Sequence, residues 1–114
     1  MGLRSWLRRK KANDQDAVLV YLKLSDDNFG TTEEREQIFE LEDRLEAAIE
    51  RHNAGELDGD EFGGGFGTLY LYGTSAKGLF DAISEEVRTF PKRAGSYAIK
   101  RYGAPGAGEE RIAL

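Results

Sequence analysis

The chain has 114 residues, a length for one domain, with 39% hydrophobic and 32% charged side chains, the balance of an ordinary soluble globular protein. It contains no cysteine, which excludes disulfides, thiolate metal sites and cysteine nucleophiles. Its net charge of −5 is unevenly spread: five of the 16 basic side chains and none of the 21 acidic ones fall in residues 1–11, leaving the rest with 11 against 21, net −10.

An acidic body repels nucleic acid and anionic membranes at long range. No apolar run approaches the ~20 residues of a membrane span, and no signal-peptide core follows the basic start. The expected location is the cytoplasm.

Residues 1–13 read as a flexible basic N-terminal arm and residues 14–114 as a single α+β domain. In MGLRSWLRRKK, Leu3, Trp6 and Leu7 stand at i, i+3, i+4 among arginines. On a helix this makes a small apolar face in a basic girdle, the pattern of an interfacial anchor. Leu3, Trp6, Leu7, Arg8 and Arg9 are therefore the candidate membrane or partner contacts, with a peripheral membrane surface as one partner. The segment is under three turns long, so a disordered basic tail is the favoured reading over a membrane or partner contact. Myristoylation would need Ser or Thr where Trp6 stands.

The stretch AVLVYLKLS, residues 17–25, is rich in strand formers. Val18, Val20, Leu22 and Leu24 share one face, and Leu19, Tyr21 and Lys23 the other, with Lys23 marking the exposed side. A loop closes on a capping box of Thr31 and Glu34, and a helix runs to about Asn53 with Ile38, Leu41, Leu45, Ala48 and Ile49 as its buried stripe. Gly55 is read as its stop.

GELDGDEFGGGFGTLYLYG, residues 55–73, reads as an acidic edge strand, a glycine-rich hairpin turn and a central strand. In that last strand leucines point one way and tyrosines the other. Thr74 or Ser75 caps a second helix with Leu79, Phe80, Ile83 and Val87 inward, and Pro91 prevents its continuation. A last strand over 96–102 is expected to turn Tyr97 and Ile99 inward. Residues 111–114 alternate briefly, as a short extra edge strand would.

The order β-α-β-β-α-β, with the added strand at the end, is the ferredoxin-like pattern, an antiparallel sheet with both helices on one face. The run GELDGDEFGGGFGTLYLYG, with GSYAIKRYG and the closing EERIAL, resembles a family of small bacterial proteins of unknown function. The resemblance implies a small bacterial cytoplasmic α+β domain, and carries no activity or ligand.

The open sheet face is the candidate binding surface. Tyr21, Lys23, Phe66, Thr68, Tyr70 and Tyr72 come from the two middle strands, and Lys100 and Tyr102 are expected to complete it from the last. Aromatics on middle strands are how some RNA-binding sheets stack bases, but GGFGTLYL lacks the leading basic residue and the body is acidic. A homodimer interface burying the tyrosines, or a sheet face covered by a terminal segment, are the competing readings. An uncovered aromatic face is more often a protein contact. The expected partner is therefore another protein or a second copy, with single-stranded RNA as the alternative and an enzyme of unassigned class third.

Glu56, Asp58 and Asp60 would share one side of a regular strand, near enough to share a hard cation. Calcium-loop spacing is absent, and charges on an edge strand deter edge-to-edge pairing, so no metal site is expected there. The glycines precede a strand rather than a helix and lack a following Lys-Ser/Thr, so they are not a phosphate loop. His52, the one histidine, stands at a helix C-terminus, where it complements the dipole. No catalytic residue and no cofactor is expected.

Overall fold

The structure is a computed structural model and describes residues 15–114. Along the chain come β1 (Asp16–Lys23), α1 (Thr32–His52), β2 (Glu56–Gly63), β3 (Phe66–Gly73), α2 (Ala76–Thr89), β4 (Tyr97–Arg101) and β5 (Glu109–Ala113). The five strands form one antiparallel sheet in the order β2-β3-β1-β4-β5. This is the ferredoxin-like arrangement with an extra C-terminal strand, and β1 lies at its centre.

The alternation in β1 and β3 sets the layers. Val18 opposes Leu71 and Val20 opposes Leu69, and directly opposed residues of an antiparallel pair share a face. These side chains meet Ile38, Leu41, Leu45 and Ile49 of α1 and Leu79, Ile83 and Val87 of α2 in one buried cluster. Both helices therefore cover the same face. Leu69 and Leu71 are fully buried, as the alternation with the tyrosines predicts.

Side chains close both helix starts. Thr31 and Glu34 form the predicted capping box on α1. Ser75 caps α2, and the Asp16 carboxylate accepts from the Ala76 N–H at 2.9 Å. That bond ties the start of β1 to α2 across the core face.

The end of α1 differs from the expectation. Asn53, at φ 49°, is the left-handed cap, a conformation that asparagine tolerates better than most residues. Gly55 is needed two residues later for another reason: at φ 148° its Cα lies against β3, and a Cβ would run into the Tyr72 carbonyl. In the β2–β3 turn, Gly64 and Gly65 both have positive φ (60° and 86°), as a tight two-residue hairpin connection requires.

Candidate functional site

The face away from the helices is built from alternate residues of all five strands. β1 contributes Ala17, Leu19, Tyr21 and Lys23, and β3 contributes their opposites Tyr72, Tyr70, Thr68 and Phe66. This places six predicted residues on one face: Tyr21, Lys23, Phe66, Thr68, Tyr70 and Tyr72.

The contribution of β4 is the reverse of the expectation. Tyr97 opposes Tyr21, Ile99 opposes Leu19 and Arg101 opposes Ala17, so these three lie on the open face and are not inward. Lys100 opposes Val18 and belongs to the helix side. Its ammonium sits 5.2 Å from the Phe80 ring centroid and 3.4 Å from Glu110. A lysine can occupy such a position because its stem packs while its head reaches a charge partner. Tyr102 lies beyond the strand, and its hydroxyl donates to Glu110 at 3.0 Å. Neither Lys100 nor Tyr102 completes the open face.

The pointer to the true register lies in β5. Ala98 opposes Ile112 and Lys100 opposes Glu110, so turning the one large aliphatic residue of EERIA inward also turns Ala98 and Lys100 inward. Tyr97 and Ile99 are the more apolar pair, and β4 read in isolation points the wrong way.

The open face divides into two halves of different character. Toward the end of β1, Tyr21 stacks on Tyr97 with centroids 4.6 Å apart and planes at 14°. Phe66 meets both rings edge-on, at 6.1 and 5.8 Å. The Arg111 guanidinium lies over Tyr97 at 3.7 Å, and the Lys23 ammonium lies 5.3 Å from the Phe66 centroid. The Lys23 ammonium also donates to the Gly65 carbonyl at 3.3 Å. All three rings are half-buried. Burial, followed by the neighbouring Tyr97, raises the ionisation of Tyr21 above the usual phenol value. Glu109 and Glu61 add to the rise and Arg101 opposes it, so both signs of charge surround the ring cluster.

Toward the start of β1 the same face is sealed. Ala17 is fully buried and Tyr72 is 2% exposed, with Tyr70 packed against them. Leu19 is 8% exposed and Arg101 7%. Tyr72 is thus not displayed, in contrast to the alternation-based expectation. The Arg101 Nε–H donates to the Gly103 carbonyl at 3.0 Å, while its Nη2 is buried without a hydrogen-bond partner among the described residues.

The acidic strand does not present its carboxylates on one side. A bulge between Leu57 and Gly59 shifts the register, so Glu56 opposes Tyr72 and Glu61 opposes Thr68 on the open face, while Asp60 opposes Leu69 on the helix side. A bulge inserts one residue and re-aims the side chains beyond it. Glu56 and Asp60 consequently point to opposite faces. Among the described residues no group of three potential metal-binding side chains converges.

A cleft of about 310 Å³ opens at the Lys23 end, between Ile38 of α1, Phe90 and the Pro91–Arg93 connection. Its acidic rim residue, Glu34, is already committed to the α1 cap and to Arg93 at 3.6 Å. His52 is exposed at the end of α1. The arm residues Leu3, Trp6, Leu7, Arg8 and Arg9 lie outside the described residues. Among those described, no helix is long and apolar enough to cross a membrane.

No protein-family model matches the chain, and neither a curated protein nor a solved structure matches it.

Proposed function

We propose that the chain is a small bacterial cytoplasmic protein-contact domain that self-associates through the open half of its sheet face. The observation that carries this reading is the interlocked ring cluster of Tyr21, Tyr97 and Phe66, half-buried on the central strands. Pre-packed aromatics offer large contact area with few rotamers left to freeze on binding. The rim supports a two-fold contact. Lys23 and Arg111 supply cations and Glu61 and Glu109 supply carboxylates around the rings. A face with both signs can match itself when rotated onto a second copy.

Base stacking is the weaker reading. A base needs a free ring face, but Tyr97 already lies against Tyr21 and beneath Arg111. Of the two lysines expected on the face, Lys100 lies on the helix side.

Sedimentation velocity across a concentration series tests the proposal. The wild type is expected to move from monomer to dimer with rising concentration. Tyr21→Ala with Tyr97→Ala should remain monomeric while keeping the wild-type circular dichroism spectrum. A wild type that stays monomeric at every concentration would rule out self-association.

A further inference from the structure

We infer that the outer edge of β5, with the groove beside it, takes an extended segment of another protein as an added strand. The segment it fits carries carboxylate and apolar side chains at alternate positions.

The strand order leaves two edges, β2 and β5. β2 is bulged between Leu57 and Gly59 and carries Glu56, Asp58, Asp60 and Glu61, features that deter strand addition. β5 keeps a regular register with β4 from Glu109 to Ala113, and among the described residues no strand lies beyond it. The Leu114 N–H donates to the Ser96 carbonyl at 3.1 Å, and the Tyr102 N–H donates to the Gly108 carbonyl at 2.9 Å. These bonds bracket β5, so by alternation the backbone groups of Glu110 and Ile112 face β4. Those of Glu109, Arg111 and Ala113 are turned away from the sheet. An incoming strand can pair with them and leave the existing ladder intact, the mode by which peptides add to a sheet edge.

On the helix side the same edge borders a groove of about 290 Å³ between α2 and β5. Phe80, Val87, Ile112 and Leu114 give it an apolar lining. Arg88, in the last turn of α2, and Lys92 just beyond it supply cations. The Lys92 ammonium donates to the Arg88 and Phe90 carbonyls at 3.0 and 3.1 Å. Among the described residues neither cation is paired with a carboxylate, and Arg88 is exposed. An added strand sets every second side chain over this groove, roughly 7 Å apart. Apolar side chains then meet the lining, and a carboxylate two residues away meets Arg88 and Lys92.

That charge pattern selects the occupant. A few carboxylates match the two cations, whereas a polyanion would meet the acidic body. A second copy's β5 fits less well, because its helix-side carboxylate, Glu110, is already held by Lys100 and Tyr102. The contact does not involve the ring cluster, so either reading can fail alone.

Fluorescence anisotropy with two labelled peptides tests the inference. TETLTLTET and TKTLTLTKT have the same alternation and read the same in both directions, differing only in charge. The full chain should bind TETLTLTET about ten-fold more tightly than TKTLTLTKT. Arg88→Glu should abolish that preference. Ala113→Pro removes an outward N–H from an edge position that tolerates proline, and should weaken TETLTLTET several-fold with an unchanged circular dichroism spectrum. Tyr21→Ala with Tyr97→Ala should bind as wild type does. Amide shifts on peptide addition should centre on Glu109, Arg111, Ala113 and Phe80. No binding of TETLTLTET, equal affinity for both peptides, or shifts centred on Tyr21 and Phe66 would each overturn the inference.

Discussion

Glu34 closes the turn into α1 with nearly every acceptor it has. The Ser25 hydroxyl donates to it at 2.6 Å, and the Ser25 and Thr31 N–H groups donate at 2.9 Å each. These bonds, the Ser25 hydroxyl foremost, hold the carboxyl down at about 2, against the opposing effect of burial. Because the folded value lies below the unfolded one of roughly 4.3, the stabilisation is present above that pH and is lost as pH falls toward 2. Glu34→Gln should therefore unfold at a lower temperature than wild type at pH 7. The gap should close between about pH 4.5 and 2 in thermal melts. An unchanged gap at pH 2 would show that shape, not charge, sets the effect. Tyr21 gives the complementary alkaline case. Its raised ionisation, caused mainly by burial and then by Tyr97, gives stability that is present below about pH 10 and lost as pH rises through the folded value. In ultraviolet titration, Tyr97→Ala should bring the Tyr21 phenol back toward the ordinary range.

At the scale of elements, glycine positions separate backbone necessity from simple turn preference. Gly55 combines φ 148° with a Cβ direction blocked by the Tyr72 carbonyl, whereas Gly64 has φ 60° and open space around it. Gly64→Ala should cost about 1–2 kcal/mol, the left-handed penalty for an L-residue. Gly55→Ala should cost more, because backbone must move as well. Denaturant titration of the two variants checks the order, and equal midpoints would contradict it. Leu71→Ala should cost about 2–5 kcal/mol by leaving a cavity under α1 and α2. The elements themselves could be read in advance because β1, β3 and both helices carry strong periodicity, and Val18, Val20, Leu22, Leu69 and Leu71 point where their spacing says. The candidate face was readable on β1 and β3 for the same reason. It failed on β4 and β2 because each has a feature that period-2 counting cannot carry. In β4 a lysine on the helix side sets its ammonium over Phe80 while an arginine is buried on the other face. In β2 the extra residue of the bulge reverses the parity between Glu56 and Asp60.

The whole molecule imposes a sign on any partner. With a net charge of −5 and its excess cations confined to the first eleven residues, the folded body repels polyanions, and each approaching copy meets the same repulsion. Self-association through the ring cluster therefore has to come from apolar burial, helped by local pairing of the mixed rim charges. The two leading readings then respond oppositely to salt. For a protein contact, raising salt screens the repulsion between like-charged bodies along with the rim attractions, so the dimer constant should change by no more than a few-fold between low and high salt. For a nucleic-acid contact, released counterions make affinity fall steeply with salt, and each stacked base would contribute about 1–3 kcal/mol. The expected outcome is a dimer nearly indifferent to salt and no binding of a single-stranded RNA oligonucleotide at physiological ionic strength, read by fluorescence anisotropy. Micromolar RNA affinity under those conditions, lost on Tyr21→Ala with Tyr97→Ala, would transfer the face from protein contact to base stacking.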